Sequence, residues 1–152
     1  MTSAEPHGPR SGAIYRKTDL LLVHPTHESV QGFGLAGAPV LRVALPATDA
    51  EVGETIRRAL AGWRHGVPQP THWPTFGEEF LKVAGFRSWR ALQEGALYCV
   101  FHEDAGNICF EPWEKSTGQN YVGFGAPQEI VASASPPDAI GAAAMRALSR
   151  AR

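Results

Sequence analysis

The order of the predicted elements constrains the fold of this chain most, because it occurs twice. Strands predicted over residues 13–45 lead into a helix over 49–62, and strands over residues 96–110 and around NYVGFG and QEIVAS lead into a C-terminal helix. Aligning Gly53 with Gly141 also matches four further helix positions, Val52 with Ile140, Arg58 with Arg146, Ala59 with Ala147 and Leu60 with Leu148. The sequence therefore predicts an α+β fold, an antiparallel sheet packed by helices in two strands-then-helix halves.

Proline, glycine and capping residues predict where the individual elements begin and end. The segment AIYRKTDLLLVHP is expected to form strand up to Pro25, and APVLRVALP alternates between two faces. Thr48, followed by Glu51 three residues later, predicts the start of the first helix. Three later helices are expected to be capped by Thr75, Ser88 and Ser135.

The segment ALYCVFHEDAGNICFEPW, residues 96–113, holds both cysteines and is predicted to form a β-hairpin. Its turn falls at DAGN, where Gly106 can take a positive φ, and this register places His102 opposite Cys109. Because side chains alternate along a strand, Cys99 then lies on an apolar face, and both His102 and Cys109 lie on the other. Residues on opposite faces can share neither a metal ion nor a disulfide, so Cys99 is predicted to be a small core residue.

No other segment has the residue spacing of a catalytic or cofactor site. His24, His27 and Glu28 in HPTHE are a metal candidate, but an extended segment points the two histidines to opposite sides, which favours a polar turn at a strand end. The sequence contains no nucleophile elbow, phosphate-binding glycine loop or zinc-protease motif. It therefore predicts that the protein is not an enzyme and has no catalytic residues, no cofactor and no metal.

Composition and charge favour a soluble globular domain. The chain has 152 residues, of which 43% are hydrophobic, and a net charge of −1 gives no support to a nucleic-acid-binding role. Two cysteines are too few for a disulfide framework, and no window approaches the roughly 18 apolar residues of a membrane span. Residues 1–12 are expected to be a flexible lead-in and not a signal peptide, and residues 13–152 a single domain.

The polar face of the predicted hairpin is the best candidate binding surface. Tyr98 and Trp113 share this face with His102 and Glu111. Aromatic side chains among mixed charges suit a protein interface, where tyrosine and tryptophan often act as anchors. Alternatively, a helix covers this face and the aromatic residues belong to a second core. The sequence leaves both possibilities open.

Three segments of the chain follow the pattern of a known family, namely GFRSWRALQEGA at residues 85–96, TDAEVGETIRRAL at 48–60 and SPPDAIGAAAMRAL at 135–148. With them the chain resembles, over residues 13–150, the immunity proteins of bacterial contact-dependent growth inhibition systems. It implies two four-strand-plus-helix halves, similar to the Whirly nucleic-acid-binding fold. Gly85, Ser88 and Trp89 match the pattern and are interpreted as turn, cap and packing anchor.

The resemblance implies a cytoplasmic inhibitor that binds the C-terminal toxin domain of a large surface-delivered protein, commonly a nuclease, without contacting membrane or nucleic acid. Carboxylates on the inhibitor would meet a basic nuclease cleft. A nucleic-acid-binding module of Whirly-like fold is the second hypothesis, and an enzyme or metalloprotein built around His24, His27 or Cys109 is the third. The expected partner-binding residues are Tyr98, His102, Glu103, Asp104, Glu111, Trp113 and Glu114.

Overall fold

A computed structural model of the chain describes residues 8–116 and 120–152, which form a curled antiparallel sheet with helices on both faces. The strands are β1 Arg10–Arg16, β2 Leu20–Glu28, β3 Gly34–Ala36, β4 Leu41–Ala44, β5 Leu97–Asp104, β6 Asn107–Lys115, β7 Tyr121–Gly123 and β8 Glu129–Ala132. The α-helices are α1 Asp49–Ala61, α2 Glu78–Ala84, α3 Trp89–Gln93 and α4 Pro137–Leu148, with a short 3-10 turn at Trp73–Thr75.

The two halves of the chain repeat the same strand pairing about the central β1–β5 ladder. The strand order is β3-β2-β1-β5-β6-β7. In the first half, β4 pairs with the start of β2 and β3 with its end. In the second half, β8 pairs with the start of β6 and β7 with its end. Each half closes with a long helix, so the predicted α+β class and the two strands-then-helix halves are confirmed.

Helices α1 and α4 cross on one face of the sheet, the α1/α4 face, at the two glycines that align in the sequence. A Cβ atom on Gly53 would lie 1.8 Å from the carbonyl oxygen of Pro137, and one on Gly141 would lie 1.7 Å from that of Asp49. Because glycine has no Cβ atom, each glycine lets the backbone of the other helix come close. The residue that it contacts lies four positions before the glycine of that other helix. Below the crossing lies the main core, which includes Ile14, Leu21, Val23, Val52, Ile56, Cys99, Phe101, Ile108, Phe110, Ile140 and Leu148.

A second, smaller core lies on the opposite face, the α2/α3 face. Tyr15 and Leu22 from the sheet pack there with residues of α2 and α3, among them Phe80, Leu81, Ala84 and Leu92. Gly85 ends α2 with a φ of +87°, and the Ser88 hydroxyl accepts a hydrogen bond from the Ala91 amide at 3.0 Å to begin α3. The Trp89 ring stacks on Phe80 with 5.1 Å between centroids. The interpretation of Gly85, Ser88 and Trp89 as turn, cap and packing anchor is therefore confirmed.

Pro25 does not end β2, contrary to the prediction. The strand continues to Glu28, because Pro25 falls between the residues that pair with β4 and those that pair with β3, so its missing N–H interrupts no ladder hydrogen bond. Pro112 occupies the equivalent place in β6, between the parts that pair with β8 and β7. The repeat thus extends to the two prolines.

Two of the predicted caps are wrong. The Thr75 hydroxyl donates to the His72 carbonyl at 3.2 Å within the 3-10 turn, and α2 begins later, after Gly77. Helix α4 begins at Pro137 without a side-chain cap, because Pro136, which precedes another proline, stays extended (φ −63°, ψ 157°) and takes the N-cap position in place of Ser135. The Thr48 cap of α1 is confirmed, with its hydroxyl accepting from the Glu51 amide at 3.1 Å.

The predicted lead-in is shorter than expected at its C-terminal end. Residues 1–7 lie outside the described residues, and β1 begins at Arg10, three residues before the expected start of the domain at residue 13. Arg10 and Gly12 pair with Glu103 and Phe101 of β5. The central ladder therefore includes residues that the sequence placed in the lead-in.

Candidate functional site

The β5–β6 hairpin has the predicted register. Its turn is Ala105–Gly106, both with positive φ (51° and 80°), and His102 pairs with Cys109. Cys99 is fully buried on the α1/α4 face, and it forms no disulfide with Cys109. The prediction that Cys99 is a core residue, on the face opposite His102 and Cys109, is confirmed.

Tyr98 is not an exposed anchor; it belongs to the second core. Its ring centroid lies 4.8 Å from that of Tyr15, 4.7 Å from Tyr121 and 5.7 Å from Trp113. Burial raises the pKa of the Tyr98 phenol well above its usual range, and raises that of Tyr15 to about 12. The Trp113 indole nitrogen is also buried, without a hydrogen-bond partner among the described residues. The second-core alternative is therefore correct for Tyr98.

A different row of side chains crosses the α2/α3 face beyond this second core, and we call it the open row. Its centre is Ser11, His102 and Cys109, which pair directly across β1, β5 and β6. At one end of the row lies Ile130 of β8, which pairs with Cys109. At the other end lie Thr26 of β2 and Ala36 of β3, which pair with each other. The Ser11 hydroxyl links the centre of the row to the Thr26–Ala36 end, because it donates a hydrogen bond to the Thr26 carbonyl at 3.2 Å.

The open row and the covered aromatic row occupy equivalent places in the repeated sheet. In the β1–β5 ladder, the Tyr15–Tyr98 pair lies two residues to one side of the Ala13–Val100 pair, and the Ser11–His102 pair lies two residues to the other side. Helices α2 and α3 pack on the first pair only. His102 is therefore half-buried, and Ile130 is 68% exposed.

The open row offers binding groups and no activated nucleophile. The Cys109 thiol donates to the Gln128 side-chain oxygen at 2.7 Å, and burial together with the nearby Glu111 raises its pKa, so the thiol stays protonated. Asp104 is exposed in the hairpin turn, and Glu111 is half-buried beside the row. Neither of these carboxylates forms an ion pair among the described residues. The surface combines an exposed isoleucine with two unpaired negative charges.

Glu103 and Glu114, two further predicted partner-binding residues, lie elsewhere. Because side chains alternate along each strand, both lie on the α1/α4 side of the hairpin. There Glu103 forms an ion pair with Arg10, and the Glu114 carboxylate lies 3.7 Å from the Arg152 guanidinium. Of the seven predicted residues, the structure therefore brings together His102, Asp104 and Glu111. Sequence reasoning missed Ser11, Thr26 and Ile130, since they join the row from strands distant in the sequence; only the alternation in QEIVAS hints at Ile130.

His24 and His27 lie on opposite faces of β2, as expected, but they are buried in the strand and do not form a polar turn. The His27 Nε2 lies 2.8 Å from the Ala38 carbonyl, and its Nδ1 accepts from the Arg64 amide at 3.0 Å. Burial lowers the pKa of His24 to about 4 and lowers that of His27, so both are neutral near pH 7. Within residues 8–116 and 120–152, no three histidine, cysteine, aspartate or glutamate side chains could hold a metal ion.

None of the helices in the described part of the chain has the length and apolarity to cross a bilayer.

Comparison with known proteins identifies the fold through structure and not through sequence. No protein-family model and no curated protein matches the sequence. A protein of unknown function from Neisseria meningitidis matches with a TM-score of 0.78 and 17% identity, over 99% of this chain and 100% of that one. A chain of the CdiA-CT/CdiI toxin and immunity complex from Yersinia pseudotuberculosis matches with a TM-score of 0.77 and 16% identity, over 95% of this chain and 98% of that one. At these identities the likeness shows that the fold is shared.

Proposed function

We propose that this chain is a cytoplasmic immunity protein that binds and neutralises the C-terminal toxin domain of a contact-dependent growth inhibition system. The observation that carries the proposal is the near-complete structural match, at a TM-score of 0.77, to a chain of a toxin and immunity complex. The sequence resemblance over residues 13–150 points the same way.

The chemistry of the described residues supports binding and not catalysis. Burial raises the pKa of both cysteine thiols, and His24 and His27 are neutral and buried. The two thiols therefore stay protonated near pH 7, and the two imidazoles, although neutral, are weak bases buried in the fold, so none of the four groups is activated as a nucleophile or a general base. An inhibitor requires instead a stable scaffold and a complementary surface.

The open row is the surface that we assign to the toxin. Ile130 supplies an exposed apolar contact, and His102 lies at the centre of the row. Asp104 and Glu111 add negative charge that would complement a basic partner such as a nuclease cleft, and such charges steer association and fix orientation. Tyr98 contributes indirectly, because it holds β5 against the second core.

The first test is co-expression with the C-terminal domain of the large secreted protein encoded beside this chain. We expect the tagged chain to co-purify with that domain and to restore growth of cells that produce it, and the chain alone to be harmless. Growth inhibition by the chain alone would assign it to the toxin side of the pair. Absence of a complex, with continued killing, would refute the proposal.

Charge reversal tests the assigned surface. The double substitution Asp104→Lys with Glu111→Lys should weaken toxin binding and slow association, most clearly at low salt, because both changes oppose a basic partner. The matched control is Glu51→Lys with Glu54→Lys, which makes the same change in net charge at exposed positions of α1 on the other face. Equal affinity of the two double variants would exclude the open row as the toxin-binding surface.

A further inference from the structure

A pocket of about 350 Å³ opens between α2 and residues 36–40, at the edge of the sheet where β3 lies. Its floor is apolar and includes Ala36, Val40, Phe80 and Val83. The Val83 side chain is 50% exposed although it lines the pocket. The volume is near the lower end of the range for ligand sites, about 300–1,000 Å³, and is suited to a side chain more than to a whole helix or strand.

Exposed aromatic surface continues from the mouth of the pocket. Phe76 lines the pocket, and the Trp73 ring meets it edge-on with 5.4 Å between centroids. Trp73 is 54% exposed. Such exposure of a large apolar side chain to water is unusual in a protein that has no partner to cover it. Trp73 and Val83 thus extend the apolar lining into an exposed patch.

The rim of the pocket is negatively charged. Glu78 and Glu79 are both exposed and belong to the lining, which contains no lysine, arginine or histidine. Neither carboxylate forms an ion pair among the described residues, and the nearest basic residue on the same helix, Lys82, lies outside the lining. An apolar floor with an acidic rim complements an apolar side chain flanked by basic residues.

The pocket is continuous with the open row. Ala36 lines the pocket and is also the last residue of that row, where it pairs with Thr26. His102 lies three strands away, which is roughly 14 Å at the usual spacing between strands. A standard interface covers about 800 Å² of each partner, a patch roughly 30 Å across. One bound domain can therefore reach both surfaces.

We propose that this pocket receives a large apolar side chain of the toxin domain, carried next to lysine or arginine residues, as a second anchor beside the open row. The inference rests on the proposed function and adds the chemistry of the toxin segment. The anchor is buried by Phe76, Phe80 and Val83, and the flanking cations meet Glu78 and Glu79.

The test is affinity for the same toxin domain, measured with purified proteins. Val83→Arg should weaken binding about 30-fold, the size of a hot-spot substitution, because the long side chain fills the pocket and places a positive charge where the cations of the toxin would bind. Val122→Arg is the matched control: the same change at a 41% exposed valine of β7, at the opposite edge of the sheet. Both variants should unfold within a few degrees of the wild type, because both positions are exposed.

The outcomes separate this inference from the proposed function. If the wild type binds and Val83→Arg matches Val122→Arg, the pocket assignment is overturned while the immunity role stands. If the wild type does not bind, both fall. A photo-crosslinking amino acid at position 83 tests the chemistry directly: a crosslinked toxin segment with an apolar residue beside lysine or arginine supports the inference, and an acidic or wholly polar segment overturns it.

Discussion

Replacing Gly53 by alanine should destabilise the protein, although alanine is the better helix former. A Cβ atom at this position would lie 1.8 Å from the Pro137 carbonyl oxygen, whereas contacts below 3.0 Å are essentially never found, so α1 and α4 must separate by about 1.2 Å. Overpacking a core costs about 1–3 kcal/mol, and the obstacle here is backbone, which favours the upper end. The gain in helix propensity offsets about 1 kcal/mol. We expect a net loss of about 2 kcal/mol.

Urea and thermal unfolding measure this loss. For a chain of this size about 2 kcal/mol corresponds to a fall in Tm of roughly 4–8 °C. The control compares Glu54→Gly with Glu54→Ala at the next, exposed position of α1, where alanine should be the more stable by about 1 kcal/mol. The sign of the glycine-to-alanine effect should thus reverse between neighbouring residues.

The double variant tests the reciprocal contact. Gly141→Ala meets the Asp49 carbonyl at 1.7 Å, and the same separation of the helices relieves both clashes. The double variant should therefore lose less stability than the sum of the single variants, since the two sites share one displacement. A Gly53→Ala protein as stable as the wild type would refute the argument that the close approach constrains the helix pair.

Three further predictions concern titration, capping and thiol reactivity. Because burial lowers the pKa of His24 from 6.5 to about 4, the unfolded chain binds more protons between these values, so the free energy of unfolding should fall by roughly 3 kcal/mol as the pH drops from 6.5 to 4. In urea titrations at each pH, His24→Leu should flatten this dependence, and an unchanged slope would contradict the assignment. Ser88→Ala should cost about 1 kcal/mol through loss of the α3 cap, whereas Ser135→Ala, at a cap that the structure does not use, should leave Tm unchanged. In native alkylation followed by mass spectrometry, Cys99 should react more slowly than Cys109, because Cys99 is fully buried in the main core whereas Cys109, although also buried, keeps 8% exposure in the open row; faster labelling of Cys99 would show that the core opens.

Local chemistry in the sequence was enough to predict the hairpin and the helix pair. Gly106 and the alternation around it determine the β5–β6 register, and the Thr48 and Ser88 hydroxyls cap helices where their spacing predicts. The alignment of Gly53 with Gly141 predicted a repeat, and the structure adds that the two glycines form reciprocal contacts. These features depend on residues near one another in the chain or on backbone room that only glycine provides.

The place of Pro25 within β2 depended on strand neighbours that the sequence does not display, whereas the start of α4 depended on two prolines that it does. A proline ends a strand only where its missing N–H would face a partner, and at Pro25 the ladder changes from β4 to β3. Ser135 is a good cap in isolation, but Pro136 stays extended before Pro137, so the helix begins one residue later and Ser135 is not its N-cap. The deciding partners of Pro25 lie outside the local pattern, whereas the two prolines that displace Ser135 are adjacent to it in the sequence.

The sequence by itself determined the repeated strands and helices, and with them two equivalent regions on the α2/α3 face. Only the tertiary structure decided which region is closed. Helices α2 and α3 come from the single connection between the halves, so they can cover one region alone; they pack over Tyr15 and Tyr98 and leave Ser11 and His102 in the open row. Which part of a sheet face is covered depends on contacts between segments that are distant in the sequence, and such contacts produce no periodic pattern in it. For that reason the second core and the candidate binding surface could be told apart only after folding.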